Sequence, residues 1–142
     1  MSRRIYAGAP TVKQIGAKLV RSGYRFVPLV IEQWNVSCAI DILFLRRDAT
    51  RSVVHGGDID NRLKTLFDAT KVPANANELG GYLTPAGDED PFYCLLEDDK
   101  LITEVQVTTD ALLAPSTPTA VKLIIRVNVR PFQLSELNSD FA

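Results

Sequence analysis

The run SCAIDILFLRR, residues 37–47, constrains the fold of this 142-residue chain more than any other stretch. β-Branched and aromatic residues dominate it, and Ala39, Asp41, Leu43 and Leu45 alternate with Ile40, Ile42 and Phe44. That alternation predicts a strand with at least one well-buried face. Such a face needs a layer to cover it. After the loop-forming DATRSVVHGG, residues Ile59, Leu63, Leu66 and Phe67 fall at i, i+4, i+7 and i+8 and define the apolar side of a helix that opens at Asp58 or just after it.

The remaining elements read in order from the same two periodicities. Val12, Ile15, Leu19 and Val20 predict a short helix over 11–21, stopped by Ser22-Gly23. GYRFVPLVIEQW is an extended segment in which Pro28 calls for an edge or a bend. The stretch 71–91 is rich in Pro, Gly, Asn and acids and is longer than most connections in compact domains, so it is expected to be an inserted surface loop or flap. FYCLL predicts a short strand, Glu97-Asp98-Asp99 a turn, LITEVQVTT a strand and AVKLIIRVNVR the last strand. Residues 135–142 form a polar tail. The length fits one domain over 1–142.

Composition narrows the class. With 46% hydrophobic and 23% charged residues the chain is that of an ordinary globular protein. No apolar run reaches the roughly 20 residues that span a bilayer, and the two arginines of MSRRIYAGAP precede no apolar segment. These features predict a cytoplasmic protein. Cys38 and Cys94 lack metal-ligand spacing and are expected to be reduced thiols in the core or at its boundary. The net charge of -1 argues against a uniformly basic surface. Charge is instead segregated: Arg46, Arg47, Arg51, Arg62, Lys64 and Lys71 fall in one stretch, and acids from Glu78 to Asp99 in the next.

Two acidic groups stand out. Asp58 and Asp60 lie at the mouth of the helix, and Asp60, Lys64 and Asp68 fall on one polar stripe beside its apolar face, with Asn61 next to it. Helix capping and the helix dipole account for Asp58 and Asp60 taken alone. Joined in space by a third carboxylate from Glu97-Asp98-Asp99, they supply the oxygen ligands of a hard divalent cation, magnesium being the natural candidate. Such an ion activates a water for attack on a phosphodiester, and a nearby ammonium stabilises the charge that develops.

GDIDNRLKTLFDA followed by EDDKLITEVQV resembles the paired signature of RusA-type Holliday junction resolvases, D-x-D-N-x-x-K-x-x-x-D-A and then D-D-x-x-I. The matches are Asp58, Asp60, Asn61, Lys64, Asp68 and Ala69 in the first motif and Asp98, Asp99 and Ile102 in the second. The resemblance covers roughly the central third of the chain. It implies an α+β fold, with helices packed against a small mixed β-sheet, in a homodimer that cuts four-way DNA junctions with magnesium, or manganese in its place. It makes Asp58, Asp60 and Asp99 the metal ligands, Asp98 the reserve for the third, and Lys64 the catalytic cation. Asn61 would support the helix entrance or a ligand by hydrogen bonding, and Asp68 would partner Lys64 one turn away.

Two departures accompany the likeness. The connection between the motifs is longer than the family's, through the acidic Asp88-Glu89-Asp90, and the chain lacks the family's net positive charge. Arg46, Arg47, Arg51 and Arg62 would therefore carry the phosphate contacts. Rival readings are an inactive relative that holds branched DNA or a protein, and a metal-dependent phosphohydrolase of small molecules. In the latter class the DxD ends a hydrophobic strand, which HGG interrupts here. His55 and the Gly56-Gly57 pair have ordinary loop explanations. Trp34 and Phe44 have the chemistry to stack on bases, with core packing or a dimer contact as the plainer role.

Overall fold

A computed structural model describes residues 10–47, 59–114 and 116–133. The fold is mixed α+β and holds two three-stranded sheets where the sequence suggested one. In chain order the elements are α1 (Val12–Lys18), β1 (Val20–Arg21), β2 (Tyr24–Val30), β3 (Val36–Arg46), α2 (Ile59–Thr70), β4 (Phe92–Leu96), β5 (Ile102–Ala111) and β6 (Val121–Pro131), with single 3-10 turns at Glu32–Trp34, Ala76–Leu79 and Asp99–Leu101.

The first helix is shorter than its periodicity suggests. It starts where a capping box closes on Thr11 and Gln14, and it ends at Lys18 because Val20 and Arg21 pair with Arg25 and Tyr24. Ser22 and Gly23, both at positive φ (48° and 84°), form the two-residue turn that matches the twist of such a hairpin. β2 then runs parallel to β4, giving the order β1-β2-β4. β1 ends after covering Tyr24 and Arg25, so Pro28, which has no N–H to donate, lies on a stretch of β2 paired in register only with β4.

The second sheet has the order β5-β3-β6, with β3 parallel to β5 and antiparallel to β6. The 37–47 run is thus its central strand, and Val36, Cys38, Ile40 and Ile42 are buried. They form one core with Val30, Leu96 and Leu101, against which Leu63, Leu66 and Phe67 of α2 pack. The apolar stripe of α2 therefore faces the sheet as its spacing predicts, and its half-buried side chains contribute less than the roughly 1.5–3 kcal/mol of a fully buried one. Trp34 packs between this core and a smaller one around Ile15, Val27 and Ile31. That is the packing role and leaves base stacking without support.

Residues 71–91 are moored along the first sheet. Val72 is buried with Tyr24 and Phe26, Leu79 packs on them, and Tyr24 Oη donates to the Thr84 carbonyl at 3.0 Å. Asp90 closes the run with two hydrogen bonds from the Arg25 guanidinium, 2.6 and 2.8 Å. Three of the acids in this run are structural ties: Glu78 accepts from Ala74 N–H and Glu89 from Ala86 N–H close by in sequence, and Asp90 pairs with the distant Arg25.

Candidate functional site

The two motif segments meet at the C-terminal end of α2. Lys71 forms a parallel bridge with Leu96, and Val72 N–H donates to the Leu96 carbonyl at 2.9 Å, so the chain leaving the helix lies against the end of β4. β4 feeds directly into Glu97-Asp98-Asp99. Lys71 Nζ consequently reaches both groups, at 2.8 Å from Asp68 Oδ1 and 3.3 Å from Asp99 Oδ2. The hydrogen bond from Lys71 holds the Asp68 carboxyl below its usual range, with the Lys64 charge adding to the effect, and Asp68 in turn raises the Lys71 ammonium.

The turn itself is rigidified by caps. Asp98 Oδ1 accepts from Lys100 N–H at 2.9 Å, the N-cap of a 3-10 turn, and this bond depresses the Asp98 carboxyl. Glu97 Oε2 accepts from Glu32 N–H at 2.8 Å, and Lys100 Nζ pairs with Glu32 Oε2 at 2.9 Å, which raises the Lys100 ammonium. Asp98 therefore has a structural task. Asp99 contacts α2 through Lys71 and is the carboxylate of the turn that the structure brings to the motif helix.

Among the expected site residues, Asp60 sits in the first turn of α2, with Lys64 one turn and Asp68 two turns further on. At 1.5 Å per residue Asp60 lies about 12 Å along the axis from Asp68. The structure thus gathers Asp68, Lys71, Asp98 and Asp99 at one end of the stripe and carries Asp60 toward the other. Asp58, Arg51, His55, Gly56 and Gly57 lie outside the described residues. Arg46 and Arg62 both line an apolar cavity between α2 and the sheet, with Phe44, Ile59, Leu63 and Leu123. The Arg46 guanidinium lies over the Phe44 ring, 5.7 Å from its centre. Arg47 is exposed just beyond β3.

Lys71 is the residue that sequence reasoning missed. Its i+3 spacing from Asp68 was visible. Its contact with Asp99 spans 28 residues and follows only from the pairing with Leu96.

The donor chemistry suits the implied ion but the placement does not gather it: among the described residues no three His, Cys, Asp or Glu side chains come together to hold a metal, and Asp60 and Asp99 stand toward opposite ends of α2. Carboxylate oxygens suit a hard divalent cation. At this end of α2 the Asp99 carboxylate is paired with the Lys71 ammonium. Among the described residues no helix is long and apolar enough to cross a membrane. Comparison with known protein families, with curated proteins and with solved structures finds no match for this chain.

Proposed function

We propose that this protein is a metal-dependent, structure-selective DNA endonuclease of the RusA type, which resolves four-way junctions as a homodimer through paired symmetric nicks. The observation that supports the reading is that the D-D turn is brought against the motif helix through Lys71, although at its Asp68 end and not at the Asp58–Asp60 end to which the resemblance assigns the ion. Asp58, Asp60 and Asp99 are the carboxylates the resemblance assigns to the ion, magnesium or manganese, and holding it together would require Asp99 to come closer to Asp60 than it stands here, at the Asp68 end of α2. When bound, that ion supplies an activated water and neutralises charge on the phosphate.

The chain's own groups do the rest. Lys64, on the exposed stripe of α2, offers an ammonium to the developing negative charge. Asn61 and Arg62 stand on the first turns of the same helix, where they orient the backbone of the strand being cut. Arg46 and Arg47 at the end of β3 and Arg51 beyond it contribute phosphate contacts, which fix register without reading sequence. Two copies are needed because one carboxylate cluster makes one cut, and a junction is resolved by two.

Cleavage of a synthetic four-way junction beside linear duplex, with and without magnesium, tests the proposal. Paired, symmetric, magnesium-dependent nicks in the junction alone are expected. Tight junction binding with no nicks would establish the inert DNA-binding relative in its place.

A further inference from the structure

α1 leaves part of the first sheet open. Val12 and Gly16 of α1 and Tyr93 of β4 wall a groove floored by Arg25, Val27 and Leu29 of β2. It consists of two hollows, of about 260 and 480 Å3, that share Val12 and Tyr93. Val12 is 45%, Leu29 48% and Tyr93 66% exposed, so three large apolar side chains stand open along one trough. Its two ends differ in chemistry. Leu29 and Trp34 make one end apolar. At the other, Arg25 is already held by Asp90, whereas Lys13 is exposed and makes no ion pair among the described residues. An occupant that matches this groove carries apolar side chains at one end and a carboxylate further along.

One segment of the chain starts beside the apolar end and has that pattern. Just past β6, Phe132 N–H donates to the Asn35 carbonyl at 3.0 Å, so the chain leaves the second sheet next to Trp34. Residues 134–142, LSELNSDFA, follow two positions later and carry Leu134, Leu137 and Phe141 with Glu136 and Asp140 and no cation. Nine extended residues reach roughly 30 Å. The floor of the groove from Leu29 to Arg25 is only about 13 Å long. Residues 1–9 precede Pro10, another lining residue, but they hold Arg3 and Arg4 and no acid, which opposes the charge of Lys13.

We infer that the groove between α1 and Tyr93 is the docking site of the chain's own residues 134–142, with Leu134 and Leu137 against Leu29 and Trp34 and Glu136 turned to Lys13. The segment is joined to Phe132, so docking closes a short loop and costs less entropy than capture of a free peptide. It also fastens α1, a seven-residue helix that packs chiefly on β2. The exposed face of the first sheet is thereby covered by the strand that leaves the second.

Trp34 is the single tryptophan, so acrylamide quenching of its fluorescence in the full chain reads the groove directly. Leu134→Asp and Leu137→Asp are each expected to shift the docked-to-free ratio of the segment by about tenfold or more and so to raise the quenching. Lys13→Glu should shift it the same way by about twofold or more, and Glu136→Lys added to Lys13→Glu should restore it. Leu113→Asp, at a site 95% exposed between β5 and β6, is the control and should change nothing. If an aspartate unfolds the chain, as circular dichroism would show, Leu134→Ser reads the same shift. Quenching that none of the 134 and 137 variants alters would overturn the inference. So would a groove that opens only when residues 1–9 are removed. Quenching that rises on dilution of the wild type would also overturn it, because a second copy's segment would then fill the groove.

Discussion

Lys71 lies between Asp68 and Asp99, 2.8 Å from one carboxylate and 3.3 Å from the other, and so ties the last turn of α2 to the Asp98-Asp99 turn. The tie exists because Lys71 is bridged to Leu96 at the end of β4, the strand that delivers Asp99. Helix, strand and turn are therefore one unit, and a change at either end is felt at the other.

The electrostatic part of this tie has a definite pH signature. The Asp68 carboxyl is held below its unfolded value, so its contribution is fully present above about pH 4 and is lost as pH falls through the lower folded value. The urea midpoint of the wild type should therefore fall more steeply below pH 4 than that of Asp68→Asn. Parallel curves for the two proteins would show that the pair contributes nothing to folding.

Leu96 is completely buried where β4 meets the second sheet. Leu96→Ala should lower stability by about 2–5 kcal/mol, the range for a leucine truncated in a packed core. Urea titration gives the value directly, and a loss below about 1 kcal/mol would mean that the site collapses to fill the space.

Burial pushes the Cys94 thiol up to about 12. The reactive thiolate is thus scarce in the folded protein at pH 8, and a disulfide reagent should modify Cys94 much more slowly than it does in urea. The unfolded thiol ionises near pH 8.5, so the folded state binds the extra proton between there and pH 12, and this contribution to stability is lost as pH rises through that window. Equal reaction rates in buffer and urea would show that its partial burial does not protect the thiol.

Asp60→Asn should abolish junction cleavage while leaving binding intact or tighter, since a negative charge near the phosphates is removed. Gel mobility shift in calcium and cleavage in magnesium separate the two effects. Wild-type turnover in the variant would remove Asp60 from the site.

Lys64 distinguishes chemistry from attraction to DNA. If its ammonium stabilises the transition state, Lys64→Ala should lower the single-turnover rate at saturating enzyme far more than it weakens binding, by a factor on the order of 100 or more. A phosphate contact alone would lower affinity and its salt slope while the saturated rate stays near normal. A surface tie to Asp68 would change neither by more than a small factor.

Much of the secondary structure is written locally. The alternation in 37–47 and the i, i+4, i+7, i+8 spacing of Ile59, Leu63, Leu66 and Phe67 each state how one element divides its surface, and β3 and α2 follow that division. FYCLL and the last two strands were legible for the same reason. The end of α1 was less so, because a hairpin turn two residues on outcompeted a continuing helical pattern. The candidate site was legible as residue types in two spaced motifs.

Tertiary structure alone decided which strands pair, that the six strands among the described residues divide into two sheets, and that the 71–91 run lies against the first of them. Those outcomes depend on contacts such as Arg25 with Asp90 and Tyr24 with Thr84, 65 and 60 residues apart in sequence, whose energies no local pattern encodes. The same holds for Lys71 and Asp99. Periodicity records which side of an element avoids water, whereas the choice of partner is made only when the closure of long loops is offset by the core that they enclose.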